Sequence, residues 1–445
     1  MSSITELQVR YHSGSTTPAL ELERQLQCIA NSQTNAFITV AADAARQQSR
    51  AATQALTANV APGLLHGMTV AVKDLIDVQG LPTTCGSAQG VGAPPAAADA
   101  PIVARLRAAG AVVIGKANTH EFAYGATGDR SHFGPVANPH NLQHMTGGSS
   151  SGSAAAVSEG LAHMALGTDT SGSIRIPAAM CGVVGLKPTF GLLPVDGVRA
   201  LSPSLDHVGP ITATVQDCAL VLAVLTESPS TRYWPSDAKD MTQLRIGIPS
   251  NYFNEPLSAT VAQALKRAAA ALEQAGAAVV PICIAGVNEA HAAQQRILQV
   301  EALDQHAPAL QSGAPFGAEV HERLQAAHGI TAADYLHALR YQQQFRANMD
   351  AAFQEVDVVL TPTCPMTAPL LQERDTPIGA DMFSTRWLIT RCTVPASLSG
   401  HPALSIPFGY DDAKLPIGLQ LIGPLHGECT LFDVGAYLER ANKHA

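Results

Sequence analysis

Residues 147–177 read GGSSSGSAAAVSEGLAHMALGTDTSGSIRIP, two glycine–serine loops, each running into a helix-forming segment. Glycine lets the backbone turn sharply. A loop that ends at a helix N-terminus meets unpaired N–H groups and the positive end of the helix dipole. Far upstream, Lys73 closes the apolar run MTVAVKD. A fold that carries both loops to the end of that run unites two serine hydroxyls and an amine. Such a set can form a proton relay, for which cleaving an acyl bond needs no metal, flavin or nucleotide, so no cofactor is expected.

The remaining pattern supplies a sheet for this arrangement. Helices are predicted over 17–29 and 41–56 in an all-helical segment 3–58, which Pro62-Gly63 ends. A strand over 68–72 carries Lys73-Asp74 at its C-terminal end, with Asp74 on the opposite face. A helix over 99–109, capped by Asp99 and stopped by Gly110, leads into a buried strand at 111–114. A long loop over 124–146 follows, in which 141–146 makes a poor strand. Then come helix 153–159, strand 162–166 and helix 174–181, and a capping box of Thr214 and Asp217 opens helix 218–225.

The polar stretch 226–240 is the best linker candidate. Beyond it, 245–248, 258–274 and 277–284 read as strand, helix, strand, and 287–353 as largely helical. Strands at 356–360, 403–406 and 417–422 precede an amphipathic helix at 429–442. Strands continue on both sides of the linker. The expectation is therefore one domain over 1–445: an α/β fold with a large mixed, mostly parallel twisted sheet flanked by helices on both faces. Within it, 62–225 is the catalytic core and 287–353 a helical excursion.

Composition narrows the function. With 27 Lys+Arg, a net charge of -9 and no basic block, the chain does not read as a nucleic-acid binder. Its eight cysteines are scattered, with no C-x-x-C pair and no zinc spacing, so reduced thiols and no metal site are expected. The N-terminal MSSITELQVR lacks a secretory pattern and no apolar run reaches membrane-spanning length, which points to a cytoplasmic protein away from membranes.

Three residues carry the chemistry. Ser173 follows a strand and precedes a helix, so the amides of Thr170, Ser171, Gly172 and Ser173 lie where an oxyanion could be held. A lone serine there is more often a plain N-cap. Ser149 and Ser150 sit in GGSSSGS, which also reads as a capped turn, as a phosphate loop lacking its Gly-Lys-Ser/Thr, or as a nucleophile elbow at Ser150 lacking a good preceding strand. Lys73 ends an apolar run, and sites in open α/β sheets lie at strand C-termini. Burial would lower its pKa and let it accept a proton. Composition leaves a Ser-His-Asp triad open, but no local pattern nominates one: His321-Glu322 begins a zinc-protease pattern with Gln325 in place of the second histidine, and His120-Glu121 reads as loop-orienting.

Residues 147–188, GGSSSGSAAAVSEGLAHMALGTDTSGSIRIPAAMCGVVGLKP, resemble the defining signature of the amidase signature family. The segments LHGMTVAVKD (65–74), GAVVIGKANTHEF (110–122) and PIGLQLIG (416–423) are similar to that family as well, so the likeness covers most of the chain. The resemblance implies a Ser–cis-Ser–Lys triad with Ser173 as nucleophile, Ser149 as the bridging serine after a cis peptide bond, and Lys73 as base. It implies an oxyanion hole from the backbone of 170–173, with Ser150, Asp169 and Arg175 orienting the loops. Ser151, Ser171 and Thr146 depart from the common pattern and are read as tolerated variants. The implied partner is a small-molecule amide, and a homodimer is left open. Three other readings stay open: the glutaminase subunit of a tRNA-dependent amidotransferase, a carbamate or urea-type hydrolase, and a non-catalytic scaffold. The substrate walls are expected at 124–129 and 365–391, with Tyr124, Trp387 and Arg391 as contacts and Arg391 suited to a carboxylate.

Overall fold

The computed structural model describes residues 3–58, 63–236 and 239–443. Pro62, read above as a terminator, lies outside them. Among the described residues fifteen strands run in chain order as β1 (Phe37–Val40), β2 (Thr69–Lys73), β3 (Val112–Ala117), β4 (Ala137–Asn138), β5 (Asn141–Met145), β6 (Met164–Asp169), β7 (Val184–Lys187) and β8 (His207–Thr212), then β9 (Arg245–Pro249), β10 (Ala278–Ile282), β11 (Val358–Pro362), β12 (Asp375–Ile378), β13 (Asp381–Ser384), β14 (Ala403–Tyr410) and β15 (Pro416–Ile422). Eleven of them form one sheet in the order β1-β3-β2-β6-β8-β7-β14-β15-β11-β9-β10.

The sheet is mixed, as expected, but not mostly parallel. Only β2–β3, β2–β6, β9–β10 and β9–β11 run parallel, and the other six pairings are antiparallel. Parallel neighbours need a long crossover, and a short return forces the antiparallel sense. The turn between β14 and β15 is such a return. The sheet is continuous across 226–240, because β9, β10 and β11 join the strands from the other side of that stretch.

Both faces are covered. All five residues of β2 are buried, so its centre, Val70-Ala71-Val72, is a continuous apolar run rather than an alternating one. On one face a single hydrophobic cluster runs from Val70 and Val72 along the sheet to the helices Val215–Leu225, Ala259–Gln274 and Glu428–Lys443; on the other, Ala71 shares a cluster with Ala154–Val157, Ile174 and Ala178. A third cluster joins the helices Val287–Gln311, Ala318–Ala327 and Ala332–Glu355 to Tyr124, Leu201 and Ala396. These helices occupy the stretch expected to be largely helical.

Several local expectations shift. β1 interrupts the segment read as all helix; it is four residues long and held by antiparallel pairing to β3. Asp99 is not a helix cap: the helix Pro101–Ala108 is preceded by Ala100, and the Asp99 carboxylate accepts from Gln79 N–H (2.8 Å) and pairs with Arg107 (2.9 Å). Thr214 does cap its helix, but Asp217 turns away to accept from Ile4 N–H (3.0 Å), so the box is half-formed. Residues 141–145 do form a strand, but in a two-stranded ribbon with β4 outside the main sheet.

Candidate active site

Strands β3, β2 and β6 are parallel neighbours, so their C-termini emerge side by side at one edge of the sheet. Lys73 is paired with Ala117, and Val72 with Leu166. That register sets Thr168 beside the Lys73 side chain. The Lys73 Nζ donates to Ser149 Oγ and to Thr168 Oγ1, each at 2.7 Å. Its side chain has no exposed surface. Burial pulls its pKa down to about 7, against the attraction of Asp169 and Asp206. A sizeable fraction of the amine is then neutral near neutral pH. Asp74 lies on the other face, as alternation requires, in a buried ion pair with Lys116 (2.9 Å).

The first serine loop is pinned at several atoms. The Gly148–Ser149 peptide is cis. The Ser149 carbonyl accepts from Thr119 Oγ1 (2.9 Å) and from the His120 N–H (3.2 Å). Ser150 Oγ donates to the Thr168 carbonyl (3.2 Å) and accepts from its N–H (3.3 Å). The Ser150 N–H donates to the Ser173 carbonyl (3.1 Å), which ties the two serine loops together. The following helix, Ser151–Ser158, starts against Asn118: a Cβ on Gly152 would lie 2.5 Å from the Asn118 nitrogen. Only glycine permits so close an approach.

The second loop is built on Asp169. Its carboxylate accepts from the Gly172 N–H (2.8 Å) and the Ile174 N–H (3.2 Å), and takes Arg175 Nε and Nη2 at 2.9 Å each. Burial alone would raise the Asp169 pKa, but the Arg175 guanidinium outweighs it and holds the carboxyl well below the usual range. Arg175 also donates to the Thr393 carbonyl (3.0 Å), Gln420 Oε1 (2.6 Å) and Ser397 Oγ (2.7 Å), with no exposed surface. Gly172 has φ +126°, and a Cβ there would sit 2.2 Å from Thr393 Oγ1. One expected oxyanion donor is therefore reassigned. The Gly172 amide is already given to Asp169, which leaves Thr170, Ser171 and Ser173 as the amides of that set not held by this carboxylate.

Ser173 is 5% exposed and lines a cleft of about 100 Å³. Of the predicted contacts, Tyr124 and Trp387 line this cleft and Arg391 does not. Arg391 lies one turn after Trp387, at the end of the helix Thr385–Arg391. Its guanidinium donates to the carbonyls of Tyr252 and Glu255 and lies over the Tyr252 ring, 3.9 Å from the centroid. It braces a loop and is unavailable to a ligand in the cleft.

Other groups at the site escaped the sequence reading. Gln294 Nε2 donates to Ser171 Oγ (2.6 Å), and Thr170 Oγ1 donates to Asp206 (2.6 Å). Arg323 and Arg386 line the cleft. Arg386 stands next to Trp387 in the predicted wall, a signal that was available. Arg323 sits in His321–Gln325, a segment set aside as an incomplete zinc pattern. Glu121 does orient loops, accepting from Ser87 Oγ (2.7 Å) and the Gly317 N–H (2.8 Å). Among the described residues no helix is long and apolar enough to cross a membrane.

A family model described as Amidase matches residues 23–432. One of the glutamyl-tRNA(Gln) amidotransferase subunits, from Alkaliphilus metalliredigens (strain QYMF), is 37% identical over 442 residues, covering 91% of this chain and 89% of that one. A fatty acid amide hydrolase of Medicago truncatula is 36% identical over 97% of this chain and 74% of its own length. Among solved structures, one described as an amidase superposes with a TM-score of 0.92 at 33% identity, over 99% of this chain and all of that one. The match extends over nearly the whole length and includes both serine loops and the lysine strand, and the chain belongs to the amidase family.

Proposed function

We propose that this amidase hydrolyses a carboxamide C–N bond through a seryl acyl-enzyme on Ser173, with Ser149 as proton relay and Lys73 as base. The observation that carries this reading is the buried Lys73 amine, 2.7 Å from Ser149 Oγ. With its lone pair free, the same contact runs in reverse and Lys73 accepts the Ser149 proton. Ser149 in turn takes the proton of Ser173, whose oxygen attacks the carbonyl carbon. Amides of Thr170, Ser171 and Ser173 meet the oxyanion. When the C–N bond breaks, the relay returns a proton to the leaving nitrogen, and ammonia or an amine departs. Water then adds to the ester carbonyl, giving its proton to the relay; the carboxylic acid leaves and Ser173 regains its hydrogen. Ser150, Asp169 and Arg175 position the loops. The whole chain acts as one amidase unit, with 62–225 as its catalytic core.

Ser173→Ala tests the assignment. Turnover of amides and labelling by a fluorophosphonate should both disappear while the circular dichroism spectrum is kept; full activity in that variant would overturn it. A glutaminase that passes ammonia to a partner is the second reading, favoured by the 37% identity to a component of an amidotransferase. Ammonia release from simple amides by the chain alone, with no partner present, decides against it. Carbamates and urea-type compounds present the same carbonyl to the same relay, and belong in the substrate panel.

A further inference from the structure

The cleft beside Ser173 is charged in one sense only. Arg323, on the helix Ala318–Ala327, and Arg386, in the helix Thr385–Arg391, both line it, and among the described lining residues there is no aspartate or glutamate. The chain as a whole carries a net charge of -9, so a cationic cleft is not a by-product of composition. Neither arginine pairs with a carboxylate among the described residues. Glu319, one turn before Arg323, is drawn instead towards Arg130 (3.4 Å) and Arg374 (4.0 Å). Arg323 is held in place by stacking on the Tyr124 ring, 3.7 Å from its centroid, and by donating to the Tyr124 carbonyl. Its buried Nε has no hydrogen-bond partner. Burial and the nearby Arg386 lower Arg323 to about 10, against the weaker attraction of Tyr124 and Glu319. The remaining basic side chain in the lining, His291, is kept neutral: burial, then Arg386 and Arg391, push it down to about 4.

A planar guanidinium fork fits a carboxylate with two parallel hydrogen bonds. An α-ammonium group, in contrast, needs an acidic partner, and the lining offers none. We propose that the substrate is an amide whose acyl part ends in a free carboxylate and bears no ammonium group, the monoamide of a small dicarboxylic acid. This rests on the amidase reading above, and the bond broken is the same one. The carboxylate role assigned to Arg391 from the sequence thereby passes to Arg323 and Arg386.

The full-length enzyme is assayed for ammonia release from succinamate, from its neutral analogue butyramide, and from asparagine, which is succinamate with an added α-ammonium. Charge-assisted hydrogen bonds of this kind correspond to about a 10- to 100-fold preference in kcat/KM for succinamate over both. Arg386→Gln and Arg323→Met should each collapse that ratio; Arg386 is exposed, so its variant keeps the test alive should the Arg323 variant misfold. Calorimetry with Ser173→Ala protein gives a readout independent of turnover: succinamate should bind, butyramide should not, and adding Arg386→Gln should weaken succinamate about tenfold or more. Equal kcat/KM for succinamate and butyramide, asparagine as good as succinamate, or ratios unmoved by both arginine variants would overturn the proposal. Failure of the amidase reading looks different: no amide is turned over and no fluorophosphonate label reaches Ser173, whatever binds.

Discussion

Replacing Lys73 with methionine separates what the buried amine does for catalysis from what it costs the fold. Moving the ammonium from its ordinary 10.5 to about 7 corresponds to about 5 kcal/mol against the charged form. The folded-state pKa lies below that of the unfolded chain. Below pH 7 the lysine is charged in both states, and the fold bears the whole penalty. Between about 7 and 10.5 the unfolded chain holds a proton that the folded one has shed, so stability rises with pH; above that window the penalty is gone. Methionine removes the charge and forfeits two hydrogen bonds, to Ser149 and Thr168, at about 1 kcal/mol each. Lys73→Met should thus be more stable than the parent by about 3 kcal/mol near pH 6, with the gap closed or reversed near pH 10. Urea unfolding at several pH values reads this directly. Catalysis should move the other way: parent kcat/KM climbs about tenfold per pH unit up to about 7 and then levels, while the variant is nearly inactive throughout. A parent midpoint near pH 10, or a variant less stable than the parent near pH 6, would refute the claim that this amine is uncharged when it works.

Two further outcomes follow from the loop that carries Ser173. Asp169→Asn leaves the buried Arg175 without its counter-ion and should cost about 3–5 kcal/mol in denaturant unfolding; an unchanged midpoint would show that the pair does not hold the loop. Gly172→Ala forces a side chain into φ +126° and against Thr393 Oγ1, so fluorophosphonate labelling of Ser173 should slow by about 100-fold or more with the fold retained. Labelling at the parental rate would mean that the loop tolerates the displacement.

The residues of the proposed relay were legible because their signals are local. Lys73 ends a run apolar enough to be a strand on its own, and each serine loop pairs glycines with a helix start. Two of the strands that escaped notice have residues that resemble turns: β7 (VGLK) contains glycine and β8 (HVGPIT) glycine and proline, and they are strands through their pairing with each other and with β14 and β6. The parallel fraction was overestimated for a related reason, since alternation of helix and strand along the chain does not say which neighbour a strand joins. The cleft wall was hardest to read. Arg391 and Arg386 lie five residues apart in one segment, and nothing local says which one faces solvent-filled space and which is spent on the carbonyls of Tyr252 and Glu255. Arg323 reaches the site only because an entire helix from 318–327 is folded back over it.

That placement divides the labour of the molecule between two layers. Lys73, Ser149 and Ser173 are fixed to the edge of the sheet, whereas His291, Gln295 and Arg323 hang over the opening from helices inserted between β10 and β11. The strand register that places Lys73 does not depend on His291, Gln295 or Arg323, so these side chains can change while the proposed relay beneath stays as it was; Gln294 of the same insert, bonded to Ser171, is not free in that way.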